Sequence, residues 1–93
     1  MIPPRFKKVL EEQKLRFGNK TYHELLNLMP RQGDKPHVYT IKERDETYQL
    51  EVATYWLNEN KKGQDLLVYF SIYNTYRTAQ NPLRDTIVKK RYE

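Results

Sequence analysis

Residues 37–57, HVYTIKERDETYQLEVATYWL, shift the chain from a period of 3.6 residues to a period of 2. Apolar and polar side chains alternate on both sides of Asp45-Glu46, the pattern of a β-hairpin with one buried face. A two-residue loop at Asp45-Glu46 places Ile41 opposite Leu50 and Tyr39 opposite Val52 on one face, with Lys42 opposite Gln49 and Thr40 opposite Glu51 on the other. A one-residue slip would mix the two faces, so burial specifies the register. Trp56 shares its parity with Tyr48, Leu50 and Val52 and is expected to face the same core.

Downstream, NENKKGQD (58–65) has the composition of a turn and closes a second hairpin. The strand after it, DLLVYFSIY (65–73), sends Leu66, Val68, Phe70 and Ile72 to one face and Leu67, Tyr69, Ser71 and Tyr73 to the other. The last segment admits two readings. Asn81-Pro82 has the form of a helix N-cap followed by proline in the first turn, whereas TIVKKRY is rich enough in β-branched residues to be a fourth strand. The expectation is a short helical turn followed by an extended tail.

Upstream the helical period holds. In PPRFKKVLEEQKLRF (3–17), Phe6, Val9, Leu10, Gln13 and Phe17 share one face, with proline suited to the first turn and Gly18 to the stop. In TYHELLNLMP (21–30), Thr21 and Glu24 form a capping box, Pro30 sets the end, and Tyr22, Leu25, Leu26 and Met29 make the apolar side. PRQGDKP (30–36) is a loop by composition. Together these elements predict an α+β fold: two N-terminal helices packed on one face of a three- or four-stranded antiparallel β-meander, with residues 1–93 as a single domain.

Composition agrees with a folded chain. Leu, Ile, Val and Phe make up about a quarter of the 93 residues, and eight Tyr and one Trp add large apolar areas that hydropathy scales undervalue. A chain of this size buries roughly 60–65% of the surface exposed when unfolded, so its core is thin. There is no cysteine, which excludes disulfides and thiolate chemistry and fits a reducing compartment. No apolar run approaches the length of a membrane span, and MIPPRFKKVL lacks the marks of a secretory signal. The expected location is the cytoplasm, with no membrane partner.

The net charge of +5 is uneven: residues 1–35 carry +4, residues 36–73 carry −2 and residues 74–93 carry +3. Basic ends favour anionic partners, either nucleic acid or an acidic protein surface. Lys7 and Lys8 at one end, and Arg77, Arg84, Lys89, Lys90 and Arg91 at the other, are the candidate contacts. Should the two ends meet in space, they would form one positive patch able to bind phosphates by counterion release. The bland reading stands beside it, because Lys7, Lys8, Glu11 and Glu12 also make the opposite-sign i,i+4 pairs of an ordinary solvated helix.

The second candidate surface is aromatic. Tyr69, Tyr73 and, on the neighbouring strand, Tyr55 belong to the face opposite Phe70 and Ile72, and a row of sheet tyrosines is similar to the stacking platforms of single-strand binders. LLVYFSIY nevertheless lacks the glycine and the basic residue of the RNA-recognition signature, and Glu51 shares the outer face, where a carboxylate repels phosphate. Tyrosine is also a common strand former whose ring covers a half-exposed sheet.

Other chemistries find little footing. The two helices look like the start of a helix-turn-helix, yet strands follow where the recognition helix belongs. His23 and His37 lack partners at metal-ligand spacing; Ser71, the single serine, lies mid-strand; and three scattered glycines build no phosphate cradle. The expectation is a small non-enzymatic binding module without cofactor or metal, associated with nucleic acid through its basic termini and its tyrosine face. The alternative is a protein–protein module, an inhibitor, immunity-type or adaptor protein, homodimeric in one version, since interfaces favour the same Tyr and Arg side chains.

Overall fold

A computed structural model of the chain describes residues 4–30, 36–74 and 81–92. Its elements are α1 (Pro4–Gly18), α2 (Tyr22–Leu26), β1 (His37–Glu43), β2 (Glu46–Trp56), β3 (Leu66–Tyr73) and β4 (Leu83–Lys89). The strands form one antiparallel sheet in the order β1-β2-β3-β4, each pairing with its sequence neighbour. The fold is α+β.

The alternation read from the sequence is the alternation of burial. Tyr48, Leu50, Val52 and Thr54 of β2 and Leu66, Val68, Phe70 and Ile72 of β3 are buried, whereas Tyr55 and Tyr69 on the other parity are exposed. The first set defines the inner face of the sheet and the second its outer face. Phe6, Val9, Leu10 and Phe17 of α1 and Leu25 of α2 join the inner residues in one apolar cluster, with Trp56 partly buried against it. Phe6 meets Tyr48 edge-on at 5.3 Å between ring centres, and Phe17 meets Phe70 at 5.6 Å, the offset geometry aromatic quadrupoles prefer. Gln13, which shares the helical face of these residues, is buried with them.

Three sequence expectations need correction. The β1–β2 loop is Arg44-Asp45 rather than Asp45-Glu46, so Ile41 pairs with Tyr48, Tyr39 with Leu50, Thr40 with Gln49 and Lys42 with Thr47. This is a shift of two residues, which leaves every side chain on its expected face; parity forbids a slip of one and is blind to a slip of two. Arg44 takes the left-handed conformation at φ 57°, and Glu46 becomes the first residue of β2, where its carboxylate pairs with Arg5 and accepts from the Tyr48 hydroxyl. Second, Asn81-Pro82 caps no helix. Residues 83–89 pair with β3 from Leu66↔Lys89 to Ile72↔Leu83, and the β-branched Thr86, Ile87 and Val88 occupy a pleated surface that suits them.

Third, α2 is five residues long, shorter than its apolar periodicity implies. Its end tightens through bonds from the Leu28 and Met29 amides to the Leu25 and Leu26 carbonyls, three residues back. The Leu28 carbonyl then accepts from the Thr54 amide at 3.3 Å. β1 pairs with β2 only as far as Val52, so the turn after α2 supplies the acceptor that β1 no longer offers.

Candidate functional site

On the outer face the register sets β2, β3 and β4 into three rows. Tyr55, Leu67 and Val88 form one row, Ala53, Tyr69 and Thr86 the next, and Glu51, Ser71 and Arg84 the third. Tyr55 and Tyr69 are diagonal neighbours across β2 and β3, their rings edge-on at 5.5 Å and each a little under half exposed. Leu57 and Val88 are exposed to a similar degree, so the end of the sheet near the first row presents four large apolar side chains to solvent.

Tyr55, Leu57 and Tyr69 border an open depression of about 890 Å³. Leu67, Tyr69 and Tyr55 line its floor together with Ala53; Met29, Pro30 and Pro36 line it also, and Glu51, Glu59 and Arg84 bring the charge. Ala53 is buried although it points outward, because larger neighbours cover a side chain of one carbon. Among the described residues the surface is thus mostly apolar, with two carboxylates and one guanidinium.

Tyr73 does not complete a row of three exposed rings. It is half-buried, and burial first, and then the charge and hydrogen bonding of the Glu51 carboxylate, raise its phenol above the ordinary value. Tyr55 and Tyr69 therefore make a pair, and Tyr73 stands apart from it as a diagonal neighbour of Glu51.

The basic candidates separate into groups with different roles. α1 ends against β4: Lys14 pairs with Asp85 at 2.6 Å and with Glu11 at 3.1 Å, and the Lys89 ammonium donates to the Gly18 carbonyl at 3.2 Å. A cation on the last carbonyls of a helix complements its dipole, so Lys89 works as a helix cap. Asp85 holds the Lys14 ammonium above its ordinary pKa, and Lys14 in turn holds the Asp85 carboxyl below its own. Arg91 is likewise engaged: its guanidinium donates to the Gly63 carbonyl at 2.7 Å and its amide to Asp65 at 3.1 Å, tying the end of the chain to the β2–β3 connection.

Lys90, Lys7 and Lys8 are exposed, but they do not lie together. Lys8 lines a small recess of about 80 Å³ beside the β1–β2 turn, with Arg5, Arg44, Glu43 and Glu46 around it. At 1.5 Å per residue, Lys8 is about 15 Å along α1 from Gly18, where β4 ends. α1 and β4 do meet in space, through the carboxyl-terminal half of α1, and the charged groups at the junction are engaged there. Arg84 stands apart from both groups on the outer face, and Arg77 lies outside the described residues.

Sequence parity puts Tyr55, Leu67 and Tyr69 on the outer face, where the structure has them; Leu57 shares that parity, and the same alternation extended by one step would have found it. Val88 and Thr86 could not have been added before β4 was known to be a strand. Among the described residues no three His, Asp or Glu side chains gather to hold a metal ion, and no helix is long and apolar enough to cross a membrane. No known protein family, no curated protein and no solved structure matches the chain.

Proposed function

We propose that this chain is a non-enzymatic binding module whose outer sheet face takes up a protein surface. α1 and α2 act in this reading as a cover packed over the inner face, leaving the other face for an encounter. The observation that carries the proposal is the contiguous exposure of Tyr55, Leu57, Tyr69 and Val88 beside an open depression with charge at its margin. Exposed apolar patches rimmed by polar groups mark interaction sites, and aromatic residues with arginine dominate the energetics of protein interfaces.

The same surface is a poor fit to nucleic acid. Glu51 and Glu59 stand in the depression where a stacked strand would run its phosphates, and Lys89 and Arg91 are tied to backbone carbonyls. Among the described residues, neither the composition of the face nor its charge offers the electropositive groove that tracks a backbone.

Replacement of Tyr69 by the photo-crosslinker benzoyl-phenylalanine tests the reading in the full chain. Irradiation is expected to join position 69 to a polypeptide. A crosslink to nucleic acid alone, or none under conditions where a crosslinker at a buried control position reacts within the chain, would overturn it.

A further inference from the structure

If the outer face binds protein, the reading on which this inference rests, then the symmetry of that face names the partner. The β2 and β4 members of each outer row lie on either side of β3, one strand spacing away, so they are about 10 Å apart. A two-fold axis parallel to β3 and just above the face would carry the β2 side of one copy over the β4 side of another. Tyr55 would then lie over Val88 of the second copy, Ala53 over Thr86 of the second copy, and Glu51 over Arg84 of the second copy. Leu67, Tyr69 and Ser71, on the axis, would meet their own counterparts.

Every one of these juxtapositions matches: ring against branched aliphatic, small against small, carboxylate against guanidinium. The other in-plane two-fold, perpendicular to the strands, exchanges the first and third rows. It sets Glu51 against Tyr55 of the second copy and Arg84 against Val88 of the second copy, leaving both charges desolvated against apolar groups. A foreign partner would need opposite charges at the same separation and an apolar strip beside them. A second copy has both by symmetry, in the self-complementary form that isologous dimers require. The axis along β3 also keeps the strands of the two sheets nearly aligned, the arrangement in which sheets pack face to face at about 10 Å.

We propose that the outer face is the two-fold interface of a homodimer, with Glu51 of each copy opposite Arg84 of the other. Neither Arg84 nor Glu51 has an ion-pair partner among the described residues. The proposal predicts a pattern of charge reversal that no one-sided effect on folding reproduces.

Sedimentation equilibrium of the full chain is expected to give a dimer. Glu51→Arg and Arg84→Glu should each raise the dissociation constant at least tenfold, by setting like charges face to face, while the double reversal should return it to within about threefold of the original. Thr86→Arg, on an exposed strand position, should give a monomer with an unchanged circular dichroism spectrum. A monomer at millimolar concentration, or a double reversal no tighter than the single ones in folded protein, would refute the homodimer. If the chain is monomeric and position 69 still crosslinks to a different polypeptide, the homodimer falls and the protein-binding face stands. A crosslink only to nucleic acid removes both.

Discussion

At the scale of single residues, Tyr48 shows how one side chain serves both packing and polarity. Its ring is 1% exposed, meets Phe6 edge-on, and its hydroxyl reaches the Glu46 carboxylate at the margin of the core. Burial first, and then Glu46, push its phenol up to about 12. Between the ordinary phenol value of 10 and that value, the unfolded chain releases the proton while the folded chain keeps it. Stability attributable to Tyr48 is therefore constant below pH 10 and lost as pH rises above it, by about 2–3 kcal/mol at full separation. Lys14 adds alkaline sensitivity of the same sign, so the informative quantity is a difference. Urea midpoints taken from pH 8 to pH 11.5 should fall less steeply for Tyr48→Phe than for the parent chain, and parallel curves would contradict the assignment. Not every buried group is so well placed. The Thr54 hydroxyl and the Gln13 side-chain carbonyl are buried without a hydrogen-bond partner among the described residues, a cost to stability that the surrounding apolar packing offsets.

At the scale of elements, α2 is the segment most dependent on its cap. Five residues are too few to be stable by propagation, so the reciprocal bonds of Thr21 and Glu24, at 3.0 and 3.1 Å, carry an unusual share of its order. Thr21→Ala should cost about 1 kcal/mol, visible as a lower urea midpoint and as faster amide exchange at Glu24 and Leu25. The Thr21 amide, and then its hydroxyl, hold the Glu24 carboxyl below its ordinary value of 4.5. The support from Glu24 is thus present above that value and fades as pH falls through the folded-state value, so Thr21→Ala should matter less in acid than at neutrality. An equal effect at pH 7 and pH 3 would assign the whole cost to the bond from the Glu24 amide to the Thr21 hydroxyl, with no share from the Glu24 carboxylate. β4 illustrates the opposite case, an element whose local signals disagree. Asn81-Pro82 argues for a helix start and Thr86-Ile87-Val88 for a strand, and the open edge of β3 decides between them. A free ladder of donors and acceptors on an otherwise buried strand outweighs a cap that would serve a single turn.

At the scale of the whole molecule, net charge and its placement point in different directions. A total of +5 favours anionic partners, but among the described residues the exposed lysines are spread over Lys7 and Lys8 on α1, Lys42 on β1, Lys61 and Lys62 in the β2–β3 connection and Lys90 after β4, and the charge of Lys14, Lys89 and Arg91 is consumed in holding α1 and the segment after β4 to the sheet. A polyanion engages one such group at a time. Retention on heparin or duplex DNA should therefore fall with salt at a log–log slope of about −2 to −3, against −5 or steeper for one continuous patch. A steep slope measured on the parent chain and halved by replacing Lys7 and Lys8 would show that these groups act as a single surface.

From sequence alone, the period of two in residues 37–57 and 65–73 determined which side chains are sealed and which face solvent, because a pleated strand alternates whatever its register. The helical face of Phe6, Val9, Leu10, Gln13 and Phe17 and the Thr21 cap were legible for the same reason: each depends on residues within a few positions of one another. What lay beyond the sequence was everything set by distant partners. The two-residue shift of the first hairpin, the pairing of β4, the diversion of Leu28 to Thr54, the withdrawal of Tyr73 to Glu51 and the internal use of Lys89 and Arg91 each join segments whose affinity no local pattern encodes. The candidate site belongs to both levels, since parity exposed Tyr55 and Tyr69, but only the three-strand register brought Val88 beside them and set Glu51 and Arg84 at opposite ends of one row.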